Sequence, residues 1–218
     1  MSNKKFFLCL LSIVFFVAFV SYSISKDIRL IGGVAKDYKD KKGRVWHSGQ
    51  KSKQDWGGWL KEAPKTAAAS IKELTAAAKK KADDAGYDHE LFGAVSWASN
   101  PSTVKYDLKT GNGLFNVTYM VREHWSPKNR GYDIIVEGDI VEKLYVTPGK
   151  GEIDIKEYKN IGISDGSMEI ELKGNAATKK GDLNPMFSAL EIVGQGGTAV
   201  GSTGKLTATW GTIKQELK

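Results

Sequence analysis

Residues 113–138, GLFNVTYMVREHWSPKNRGYDIIVEG, constrain the fold of this chain more than any other stretch. Phe115, Val117, Tyr119 and Val121 alternate with Leu114, Asn116, Thr118 and Met120. That period of two lets a strand send one row of side chains into a core, so a half-buried strand is predicted. Ser126-Pro127-Lys128-Asn129-Arg130-Gly131 cannot continue a ladder, and a second apolar run follows over 132–136. The pattern predicts a hairpin whose tip carries Glu123, His124 and Trp125. Loops held by rigid strands are where binding side chains concentrate.

The rest of the chain repeats this grammar. Short extended segments are predicted at 28–31, 44–47, 91–97, 103–107, 144–146, 152–158, 161–163, 167–172 and 187–193, broken at Gly32-Gly33, Pro148-Gly149, Asp165-Gly166 and Lys173-Gly174. Roughly ten strands at such spacing predict an all-β fold, an antiparallel β-sandwich of the jelly-roll kind. Residues 64–85 stand apart. They are rich in Ala and Lys, place Ser70 and Glu73 at capping-box spacing, and stop at Gly86. One inserted helix is predicted there, on the outside of the sandwich, with the stripe Ile71, Leu74, Ala78 and Ala82 turned inward.

The ends of the chain differ from its middle. Lys4 and Lys5, the apolar run 6–20 and the small residues that follow describe an export signal over 1–25, either removed or kept as an N-terminal membrane anchor. Cys9, the only cysteine, lies within that run, so the exported part holds no thiol and its stability must come from its core. A bacterial envelope or secreted setting fits this better than a disulfide-rich one. Net charge is +7, and +5 once 1–25 is set aside. The lysines of 36–53 and 79–81 are not interleaved with aromatics as a single-strand nucleic-acid groove requires, so no nucleic-acid partner is expected. Residues 194–218 read as a Gly-rich linker followed by a terminal strand or attachment tail.

Little in the sequence points to catalysis. There is no Gly-x-Ser-x-Gly elbow and no phosphate-cradling glycine loop, and His47, His89 and His124 have no metal-ligand spacing. No metal and no cofactor is expected. Glu123 and His124 are neighbours on a strand and point to opposite faces, which weakens an acid–base pair. A carboxylate pair for glycoside hydrolysis meets only in space and stays open. Tryptophan, by contrast, is plentiful near predicted loops: Trp46, Trp56, Trp59, Trp97 and Trp125. Flat indoles suit the C–H face of a sugar ring, with core packing the alternative for each. The Gly57-Gly58 pair reads either as close approach to a ligand or as a tight turn.

The order IRLIGG, RVW, DWGGW, DHELFGAVSW, VKYDL, GNGLFNVTYMVREHW, RGYDIIVEG, ISDGSMEIEL, NPMFSALEIV resembles the malectin domain and its bacterial malectin-like relatives over about 28–193. The resemblance implies a lectin-like β-sandwich that binds carbohydrate through loop aromatics without catalysis. It puts the family's stacking aromatics on Trp56, Trp97 and Trp125, with Asp55, Asp182 and Asn184 as hydrogen-bonding partners. Two positions depart. Ser126 stands where the family has a Phe, and Leu183 precedes Asn184-Pro185 where the family has an Asp, with Asp182 one place earlier. The departures argue against the diglucose specificity of malectin and for a different or more weakly bound glycan. Position alone adds His124 and Arg130. The rival readings are an envelope or adhesion module that binds no sugar, and a glycoside-active enzyme.

Overall fold

The structure, a computed structural model, describes residues 26–195. The predicted export segment 1–25 and all but the first two residues of the predicted tail lie outside the described residues. In chain order the strands are β1 (Ile28–Ile31), β2 (Tyr38–Lys39), β3 (Val45–Ser48), β4 (Gly57–Trp59), β5 (Lys65–Ala68), β6 (Ala94–Trp97) and β7 (Val104–Leu108). There follow β8 (Gly113–Arg122), β9 (Gly131–Val136), β10 (Asp139–Val146), β11 (Ile153–Ile163), β12 (Met168–Gly174), β13 (Met186–Phe187) and β14 (Ala189–Gly194). One α-helix, α1 (Ala76–Ala85), lies between β5 and β6.

Two large sheets make the sandwich, in the orders β11-β8-β14-β1-β3-β2 and β10-β9-β12-β7-β4; a third, β13-β6-β5, packs into the same core. Pairing is antiparallel except between β1 and β3, which run parallel with Leu30 opposite His47. The alternation read from the sequence fills the interior. Val117, Tyr119 and Val121 of β8 meet Tyr106, Ile134 and Ile170 of the opposite sheet, all at most 1% exposed.

Three expectations change. The first concerns β8, which is buried on both faces from Val117 onward. Its outer residue Met120 packs with Leu74, Ala78, Ala82, Leu91 and Phe92, so the 71–92 excursion covers this face as a second small core. The second concerns 64–85, where the helix occupies only Ala76–Ala85. Lys65–Ala68 form β5 instead, and Ser70 caps a single 3-10 turn, Ile71–Glu73, that ends in the extended backbone of Leu74. Thr75 is the true cap of α1, its Oγ1 accepting from Ala78 N–H at 3.1 Å, and Gly86 ends the helix at φ 72° as read. Tertiary pairing of 65–68 with β6 overrides helix propensity there. Likewise Leu91 and Phe92 lie in a 3-10 turn ahead of β6, not in the strand.

The third change matters most for function. β8 and β9 do not pair: β8 lies between β11 and β14, β9 between β10 and β12. Residues 123–130 are an arch that carries the chain from one sheet across to the other, not a hairpin tip. Alternation fixes which side chains face inward but not which strand is the neighbour, and both strands satisfy it from opposite sides of the core.

Candidate functional site

The arch is built around one carboxylate. Glu123 is fully buried, and its Oε1 accepts from the backbone N–H groups of His124, Trp125 and Ser126 at 2.8, 2.7 and 2.8 Å. Its Oε2 accepts from Arg130 Nε at 3.1 Å and Thr147 Oγ1 at 2.9 Å. Five donors on one anion satisfy a charge that burial would otherwise make costly. They also fix the turn that holds Trp125 outward, 40% exposed. His124 meets the Trp125 ring edge-on at 5.3 Å and faces Glu73 at 3.3 Å.

Opposite the arch stands the third sheet. Trp97 pairs with Lys65 on one side and Met186 on the other, and Val95 pairs with Ala67. Residues two apart on a strand, and those directly opposite, share a face. Ala67, Val95, Trp97 and Met186 therefore make one apolar surface, which with Trp125, Arg130 and Asn184 encloses a cleft of about 190 Å³. The Lys65 ammonium sits 5.0 Å from the Trp97 ring centroid and donates to Ser99 Oγ at 2.7 Å. Trp97 Nε1 is buried without a partner, a cost of roughly 1–3 kcal/mol.

A polar frame holds the two walls together. Arg130 Nη1 lies 3.0 Å from Asp182 Oδ2 and donates to Asn184 O at 2.9 Å; Asp182 Oδ1 accepts from Asn184 N–H at 2.9 Å. Asn184 Oδ1 accepts from Asn100 N–H at 2.8 Å, tying in the segment after β6. Beneath the floor, Tyr119 of one large sheet and Tyr132 of the other converge on the carbonyl of Met186 at 2.7 and 3.0 Å. Burial pushes both phenols well above their ordinary pKa, so they act as neutral struts joining three sheets below the cleft.

The site residues read from the sequence are thus divided. Trp97, Trp125 and Asn184 line the cleft, with Arg130 beside them. Asp182 supports it through Arg130, and His124 buttresses Trp125. Ser126 lies on the arch, giving its N–H to Glu123 and accepting from Asn129 Nδ2 at 3.3 Å. Asp55 and Trp56 are elsewhere. Trp56 is 8% exposed, belongs to the main core and stacks on His47 at 5.5 Å; with Asp55 it borders a separate depression near Asp27 and Asp37. Of the other indoles, Trp46 is fully buried and donates to Asp40 Oδ2 at 3.0 Å, and Trp59 is half-buried. The weight of Glu123 escaped the sequence reading, as did the apolar floor of Ala67, Val95 and Met186. Only the adjacency of Glu123 to the loop signalled it.

Among the described residues no group of three or more His, Cys, Asp or Glu side chains could hold a metal ion, and no helix is long and apolar enough to cross a membrane. No protein-family model and no curated protein sequence matches the chain. Solved structures do match in fold. The ANXUR1 extracellular domain from Arabidopsis thaliana superposes with a TM-score of 0.63 at 13% identity, over 76% of this chain and 47% of that one. The ANXUR2 extracellular domain from the same plant gives 0.62 at 15%, over 76% and 47%. Bacteroides uniformis beta-glucuronidase gives 0.55 at 12%, over 78% of this chain and 18% of that one. The chain spans under half the length of these proteins, and at such identities the likeness is one of fold: an all-β sandwich with one helix, shared with extracellular plant domains and with part of a glycosidase.

Proposed function

We propose that this chain is an exported, non-catalytic carbohydrate-binding protein of the malectin-like kind, which takes a neutral sugar ring into the cleft between Trp97 and Trp125. One observation carries the reading: an exposed indole, held by the buried Glu123 anchor, faces a second indole across an apolar floor bordered by Arg130 and Asn184. A pyranose offers the matching surface, an apolar C–H face with hydroxyls at its edge. The cleft, about 190 Å³, is smaller than the roughly 300–1,000 Å³ of a drug-sized pocket, which suits one ring with the rest of the glycan outside. The fold neighbours, extracellular domains and a beta-glucuronidase, are in keeping with an exported, carbohydrate-related role.

Binding is favoured over turnover by the state of the nearby carboxylates. A glycosidase needs two of them flanking the bond, about 5–10 Å apart. Glu123 is sealed and fully engaged, and Asp182 is committed to Arg130. The test is a broad glycan array with the full chain, Trp97→Ala and Trp125→Ala. The expected result is retention of at least one neutral glycan that both variants lose while circular dichroism shows both still folded, Trp97→Ala at a lower melting temperature because its ring also packs against the core. Equal retention by both variants would move the site elsewhere.

A further inference from the structure

A second depression lies on the free edge of the five-stranded sheet and shares no residue with the cleft. Its volume is about 580 Å³, and Lys53, Gln54, Trp59, Lys61, Asp107 and Lys109 are among its walls. The Gly57-Gly58 pair makes it: a Cβ on Gly58 would stand 2.5 Å from Ser52 Cα, and one on Gly57 would stand 2.0 Å from the Asp107 carbonyl. The glycines thus let the loop ahead of β4 fold against the strand, which answers their ambiguity in favour of close packing. Trp59 is pinned by its Nε1, which donates to Gln50 O at 3.2 Å. Lys53 and Lys61 are exposed and held at φ 55° and 67°, a conformation that side-chain-bearing residues seldom adopt and that gathers at functional positions.

The lysines outnumber the one carboxylate in the walls, Asp107. Among the described residues none of Lys53, Lys61 and Lys109 has a carboxylate within ion-pair distance. Their spacing follows from register. Lys109 N–H donates to Trp56 O and Leu60 N–H to Lys105 O, so Lys109 stands level with Trp56 and Lys61 follows Leu60. Five strand positions separate the two, roughly 16 Å at about 3.3 Å per residue. Lys53 lies between, on the loop that Gln54 bonds back to Gly57. Lysines rooted at positions strung out in this way can each meet a separate anion along the sheet edge. They match a linear chain bearing anions at intervals, with the partly exposed Trp59 between them.

We propose that this trough is a second binding site, for a linear anionic polysaccharide bearing carboxylate or sulfate groups. A single-stranded nucleic acid is the lesser fit, because it needs successive stacking platforms and the trough has one indole. The proposal stands on different residues from the cleft and does not depend on it.

The test measures affinity of the full chain at low salt for polygalacturonate, dextran sulfate, neutral dextran and a single-stranded oligonucleotide. Lys53→Gln/Lys61→Gln/Lys109→Gln is compared with a control, Lys39→Gln/Lys41→Gln/Lys42→Gln, which removes the same charge at another exposed place. Gln keeps an unbranched polar side chain, one atom shorter, and the same backbone demand. The parent should bind one or both acidic glycans, carboxylate or sulfate identifying the anion, and should bind neutral dextran far less. The trough variant should weaken binding on the order of a hundred-fold, at about five-fold per lysine, and the control by less than about five-fold. Binding should fall by roughly two decades per tenfold rise in salt. Trp125→Ala should keep the acidic-glycan affinity while losing the neutral glycan, which separates the two sites. No binding to either acidic glycan, an equal loss in the control, or tighter binding to the oligonucleotide would each overturn the proposal.

Discussion

Replacing Glu123 by Gln tests how the site is held together. The substitution keeps shape but removes the charge and turns one acceptor into a donor. If Oε1 is retained toward the arch, three N–H bonds of 2.7–2.8 Å become bonds to a neutral acceptor, each losing about half its strength. The new amide then faces Arg130 Nε and Thr147 Oγ1, where two acceptor contacts are lost, although Thr147 can turn its hydroxyl to accept. Breaking a buried ion pair typically costs about 3–5 kcal/mol. Arg130 keeps Asp182, so a loss near 3 kcal/mol is expected, a large share of the roughly 5–15 kcal/mol that holds a domain. Urea unfolding followed by tryptophan fluorescence reads it directly. A Glu123→Gln midpoint that corresponds to less than about 1 kcal/mol would refute the role given to this carboxylate.

Other consequences are simpler to check. Trp56→Ala should destabilise the fold by about 3–5 kcal/mol in thermal or urea unfolding, because its ring is core; if the folded variant instead loses neutral-glycan binding at unchanged stability, Trp56 belongs to the site after all. Trp125→Ala should cost clearly less than Trp56→Ala, about 1–2 kcal/mol, since 40% of the residue is exposed, and a loss as great as that of Trp56→Ala would make it structural. Acid should weaken the fold through Asp37. Burial raises its pKa, but the Lys51 ammonium, the Ser48 N–H and the His47 ring together hold it at about 2. The unfolded value is about 3.9, so this contribution is full above about pH 4 and is lost as pH falls toward about 2. Unfolding midpoints of Asp37→Asn should depend less steeply on pH in that range, and an unchanged slope would remove Asp37 from the account.

Much of the fold was legible because alternation is a strong signal: β1, β7, β8 and β9 lie within a residue or so of their sequence positions. Strand partnership was not, since 113–122 and 131–136 would face a core equally well as a hairpin or as opposite sheets. The Ala/Lys segment misled for a related reason. Local propensity favours helix over 65–68, yet pairing with β6 makes it a strand and so supplies Ala67 to the cleft. At the site, Trp97, Trp125 and Asn184 come together from three separate elements. Trp56 shares their aromatic character and its loop context but turns inward onto His47, a choice made by packing that no local pattern records.

Indole N–H signals of the ¹⁵N-labelled full chain, followed while a neutral glycan from the array is titrated in, test the central claim most directly. The signals of Trp97 and Trp125 should move together and saturate, while those of Trp46 and Trp56 hold still. Movement of Trp56 without Trp97 and Trp125, or saturation with neither of the latter pair perturbed, would contradict a sugar site between the arch and the small third sheet.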